Sequence, residues 1–125
     1  MIIDDFINKS LTKAFATPAN GLYDQGLNPG YETIYFCFDN DAIKLTALPD
    51  TDEIDIQLLN DYSKNEMFAE TILEGLIGRQ LTYTWHCENT NNYFDAFLLS
   101  FTYLKPNIMV LSEGSCLKLF DITPS

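Results

Sequence analysis

Five carboxylates, Asp50, Asp52, Glu53, Asp55 and Asp61, fall within the stretch ALPDTDEIDIQLLND. Hard cations such as calcium are held by oxygen ligands at alternating loop positions, so this is the first place to look for chemistry. With Asp50 as the first ligand, Asp52 is the third. Ile54 then falls where the fifth ligand is needed, Asp55 replaces the turn glycine, and Asp61 stands where a bidentate glutamate is expected. The motif fails at three points. Alternation explains the same residues more simply: Asp50 and Asp52 occupy a turn, and Glu53 and Asp55 form the wet face of a strand whose other face is Ile54, Ile56 and Leu58.

The remaining reactive side chains are sparse. His86 is the sole histidine, which excludes a multi-histidine zinc site, and its neighbour Cys87 points to the opposite face of any strand that holds both. A small hydrolase or ligand-binding domain would have to build its pocket from His86, Glu88 and Asp95. Gly75 and Gly78 lack the third glycine of a dinucleotide fingerprint, and Ser115 in SEGSC lacks the first glycine of a nucleophile elbow. Cys37, Cys87 and Cys116 form no CxxC pair and sit in apolar runs, the pattern of reduced, buried thiols. The sequence therefore gives no catalytic residue, and it leads us to expect neither a metal nor an organic cofactor.

Composition narrows the choice of partner. With 125 residues, of which 46% are hydrophobic, the chain is expected to form one domain with its own core over residues 1–125, although its net charge is −11. So negative a surface repels nucleic-acid phosphates and anionic lipid and favours a basic protein. MIIDDFINKS has neither a basic leader nor an apolar span, which points to the cytoplasm and away from the membrane.

The elements that must position these residues follow from periodicity. Ile3, Phe6 and Ile7 have helical spacing, with Asp4 and Asp5 in the first turn, so a short amphipathic helix is expected there; LTKAFAT fits either helix or strand. ETIYFCF, AIKLTAL and EIDIQLL alternate and predict a three-stranded meander, with Asp39-Asn40 as its first turn. EMFAETILEGLIGRQ carries an apolar stripe, Phe68, Ile72 and Leu76, and predicts a second helix capped at Gly78. LTYTWHCE, YFDAFLLSFTYL, NIMVLSE and CLKLFDI supply further strands. YFDAFLLSFTYL, apolar on both faces, is the candidate central strand, and Trp85 is expected in the core. The fold class predicted is α+β: a mostly antiparallel sheet with one or two helices packed on it.

The order ETIYFCFDNDAIKL, PDTDEIDI, IGRQLTYTW, ENTNNYFDAFLLSF and SEGSCLKL resembles short uncharacterised bacterial proteins grouped as a domain of unknown function, over about residues 31–122. Asp52, Glu53, Gly78, Trp85, Asn89, Tyr93, Asp95 and Ser115 carry the likeness. The resemblance implies a glycine where Asn92 stands and implies no activity. Function is therefore read from charge and composition: a non-enzymatic protein-binding module, immunity-type in character, that meets a basic partner through an acidic face. Its contact residues would be Asp50, Asp52, Glu53 and Asp55, with Asn89 and Tyr93 of the amide-rich loop as a second patch.

Overall fold

Strands account for most of the described residues from Lys13 onward. The computed structural model describes residues 1–18, 30–61 and 71–123. It contains eight strands: β1 (Lys13–Pro18), β2 (Tyr31–Phe38), β3 (Asp41–Leu48), β4 (Glu53–Leu59), β5 (Leu81–Glu88), β6 (Phe94–Phe101), β7 (Ile108–Glu113) and β8 (Cys116–Asp121). They form one antiparallel sheet in the order β4-β3-β2-β8-β7-β6-β5, with β1 also paired to β2, and the sheet curls into a half-barrel. The expected meander is β2-β3-β4, registered through Ile34↔Leu45 and Leu45↔Ile56. Asp39 makes its first turn at φ 58°, a left-handed conformation that aspartate tolerates.

The α+β expectation is overturned, because the described residues are nearly all antiparallel sheet and among them no helix packs on it. The opening segment makes only a single 3-10 turn, Ile3–Phe6, which buries Phe6. Asn8 then turns to φ 72°, and the following backbone leaves the helical path to pair with the residues before β5. Leu11 N donates to Arg79 O at 2.9 Å and Leu81 N donates to Lys9 O at 3.0 Å. Of the second expected helix, residues 66–70 lie outside the described residues. The rest is one α-helical turn, Thr71–Glu74, that inserts Leu73 into the core before Gly78 reverses the chain at φ 89°. The ambiguous LTKAFAT resolves as strand.

The concave face holds the main core. Phe36, Ile43, Leu45, Phe97, Leu99, Phe101 and Val110 are fully buried there, joined by Phe6, Leu73 and Leu81. Each such side chain contributes about 1.5–3 kcal/mol on burial. On the convex side of β1, β2 and β3 a smaller cluster forms, in which Phe15 stacks on Tyr35 at 4.6 Å with Cys37 and Ala42 alongside. That second cluster makes β2 the strand buried on both faces. β6 is not the central strand, since it lies next to the edge strand β5. Trp85 is not in the core either. It heads a half-buried cross-strand row on the convex face, Trp85↔Leu98↔Met109↔Phe120.

Candidate functional site

Three hairpin turns meet at one end of the half-barrel and carry the acids. The β3-β4 turn runs through Pro49 to Asp52, the β5-β6 turn through Asn89 to Tyr93, and the β7-β8 turn through Gly114 and Ser115. Curling brings β4 across the concave face toward β6, so turns far apart in sequence come within hydrogen-bonding reach. Asp52 Oδ1 accepts from Ser115 N at 2.7 Å, and Glu53 Oε2 accepts from Phe94 N at 3.1 Å. Each bond gives a backbone donor in a turn or at a strand end a charged acceptor. The second link also joins β4 to β6 directly.

The amide-rich loop is organised from within. Asn89 Oδ1 accepts from Asn91 N at 2.8 Å and from Tyr93 N at 3.3 Å, while Asn89 Nδ2 donates to Asp95 Oδ2 at 3.1 Å. Asn92 sits at φ 67°. Left-handed backbone also recurs at Asp52 (φ 55°), Ser115 (φ 67°) and Gly114 (φ 63°), so four residues of the three turns use the conformation that asparagine, aspartate and glycine accommodate best.

Two of the residues expected on a free acidic face, Asp52 and Glu53, are therefore fasteners, each half-buried. Asp50 is exposed on the same turn, and Asp55 is half-exposed on β4. Asn89 and Tyr93 are exposed on the neighbouring loop, and Glu88 and Glu113, also exposed, complete the rim. The sequence reading missed Glu113, whose place beside Asp52 depends on a contact between Ser115 and a residue 63 positions away. Between Pro49 and Asp61, between His86 and Leu104 and between Pro106 and Leu117 there is no lysine or arginine. Among the described cations, Lys9, Lys13, Arg79 and Lys105 lie at or near the opposite end of the sheet, where β1 and β5 begin and β6 ends.

The alternative pocket residues are placed differently. The His86 ring stacks on Phe94 at 4.2 Å and meets Phe97 edge-on at 5.6 Å. Asp95 is engaged by Asn89, and neither it nor Glu88 is hydrogen bonded to His86. A general base needs its proton partner within hydrogen-bond reach, and this histidine is held by aromatic packing. Among the described residues no three His, Cys, Asp or Glu side chains converge as metal ligands, and no helix is long and apolar enough to cross a membrane.

Taken together, these features define an antiparallel β half-barrel whose turns are tied into an acidic rim by side chains accepting from the backbone. The chain belongs to the Family of unknown function (DUF6334), whose family model matches residues 1–125. No curated protein and no solved structure matches it. Six of the residues on which the resemblance rests, Asp52, Glu53, Asn89, Tyr93, Asp95 and Ser115, take part in the hydrogen bonds that join and order these three turns.

Proposed function

We propose that the protein is a non-enzymatic, cytoplasmic protein-binding module, immunity-type in character, whose acidic rim receives a basic partner. The observation behind this reading is the segregation of charge. Asp50, Asp52, Glu53, Asp55, Glu88, Asp95 and Glu113 lie in or beside three joined turns, where Lys118 is the nearest described cation along the strands. A fixed rim of one sign concentrates its field, speeds encounter with an oppositely charged surface and rejects phosphate-rich ones. Because the turns are fastened to one another, the rim presents its charges with little ordering left to lose on binding.

The contact falls on Asp50, Asp55, Glu88 and Glu113, with Tyr93, 44% exposed, as the aromatic member of the patch. Asp52 and Glu53 act mainly by holding the rim together. Affinity capture with the intact protein tests the proposal: the recovered partner should be basic and should dissociate as salt rises, since exposed charge pairs are screened beyond about 10 Å at 0.1 M ionic strength. A partner that is acidic, or that is held equally well at high salt, would contradict it. The small-ligand or hydrolase reading at His86, Glu88 and Asp95 has less support, since aromatic stacking, and not a carboxylate, positions the histidine.

A further inference from the structure

At the end opposite the acidic rim, the turn before β5, the β6-β7 connection and the end of β8 enclose a cleft of about 250 Å³. Arg79, Tyr103, Asn107, Ile108, Asp121 and Thr123 line it. Three observations show that Arg79, Asn107 and Asp121 are held in place without being spent on one another.

Asn107 is only 1% exposed, and nearly everything on it is committed. Its backbone N donates to Leu99 O at 3.0 Å, its carbonyl accepts from Ile122 N at 2.9 Å, and Oδ1 accepts from Phe101 N at 2.8 Å. Nδ2 alone has no partner among the described residues, which leaves a rigidly held donor at the cleft wall. That nitrogen is open to an acceptor offered from the cleft. The Arg79 guanidinium lies 6.0 Å from the centroid of the Tyr103 ring, and none of its N–H groups donates to another described residue. Such stacking orients the planar fork while leaving its donors open. Asp121, across the cleft, accepts through Oδ1 from Thr123 N at 3.0 Å and from the Thr123 hydroxyl, so that Oδ2 remains open. Arg79 is near enough to help hold the Asp121 carboxyl below its ordinary range, behind the stronger effect of the Thr123 bonds. The two do not close into an ion pair.

A cation fork, an amide donor and a separate carboxylate around one small volume match a ligand that carries both charges. We propose that this cleft binds a small zwitterion of the free amino-acid type, its carboxylate on Arg79 and Asn107 Nδ2 and its ammonium group on Asp121. A dianion such as phosphate would meet Asp121 unfavourably, and a simple amine would leave the guanidinium and the amide unpaired. The volume lies just below the range of drug-sized sites, about 300–1,000 Å³, which suits a ligand of fewer than about ten heavy atoms. This site stands apart from the acidic rim and does not depend on its role.

Amide chemical-shift mapping on the intact protein decides the matter, with each proteinogenic amino acid titrated in turn and propionate and ethylamine as single-charge controls. At least one amino acid should give saturating shifts at Arg79, Tyr103, Asn107 and Thr123, with both controls weaker by about tenfold or more. Arg79→Gln should abolish saturation and Arg79→Lys, which keeps the charge without the fork, should fall between it and the wild type. Asp121→Asn should weaken the amino acid while leaving propionate binding intact. The proposal is overturned if no amino acid saturates these amides by about 10 mM, if propionate binds as tightly as the best of them, or if Arg79→Gln binds like the wild type. Arg79 is solvent-exposed, so its variants keep the fold.

Discussion

Asp52 shows how one side chain can have two readings. In the sequence it is a turn acid with metal-ligand spacing; in the fold it is the acceptor that fixes Ser115 across 63 residues. Replacing it with alanine removes a charge-assisted hydrogen bond and places a β-carbon residue without a local acceptor at φ 55°, which should cost about 1–3 kcal/mol in urea unfolding. Asp52→Asn keeps both the acceptor and the tolerance of left-handed backbone and should cost less than half as much. Equal stability of all three proteins would show that the fastening contributes nothing. The cysteines give a second residue-scale expectation. Burial pushes the Cys37 thiol up to about 11 from 9.0, against the pull of Lys13, and burial likewise raises Cys116. At about pH 8 a thiol alkylating reagent should therefore mark half-buried Cys87 in the native protein and spare the other two until it unfolds. The same shift predicts a pH window. Because the folded state holds the Cys37 proton more tightly than the unfolded chain, its contribution is whole below pH 9.0 and is lost as pH rises through about 11. A Cys37→Ala variant should lack that part of the alkaline decline, and an identical decline would refute the assignment.

At the scale of elements, turn chemistry controls the rim. Asn92 occupies φ 67° on the β5-β6 turn, where a β-branched side chain is disfavoured by about 1–2 kcal/mol. Asn92→Val should lower the denaturation midpoint accordingly, whereas Asn92→Gly should fold as well as the parent; similar losses for both would contradict this account. Strands of this kind were legible in the sequence. ETIYFCF, AIKLTAL and EIDIQLL each send an alternating apolar row into the half-barrel, although β2 is covered on its other face as well, and Asp39 marks the first turn by residue type. The helices were misread for a physical reason. Ile3, Phe6 and Ile7 satisfy a helical spacing over less than two turns, too short to outweigh the backbone pairing that Asn8 to Leu11 find with Arg79 to Leu81. The centrality of β6 was misread because apolar residues on both faces do not distinguish a covered strand from one bearing the half-buried row of Leu98 and its neighbours. The rim was partly visible as acids and amides. Its assembly was not, since local spacing carries no trace of the bonds from Glu53 to Phe94 and from Asp52 to Ser115, nor of the convergence of Arg79, Asn107 and Asp121.

For the whole molecule, the net charge of −11 matters less than where the charge is placed. Three fastened turns gather acids at one end, while most of the described cations lie toward the other, and the proposed partner recognises that difference. Reversing Glu53 would confuse two effects, because its carboxylate also accepts from Phe94 N. The decisive variant reverses exposed or half-exposed acids with no hydrogen bond to the rest of the rim, Asp50→Lys, Asp55→Lys and Glu113→Lys together, and the control changes Asp4→Lys and Asp5→Lys on the opening turn. Binding of the salt-sensitive basic partner to these proteins, compared at low ionic strength, is the most direct measurement. A fall of about a hundredfold or more in affinity for the rim variant, with the control changed by less than about threefold, is the result the acidic-rim account predicts. Undiminished binding by the rim variant, or an equal loss in the control, would contradict it.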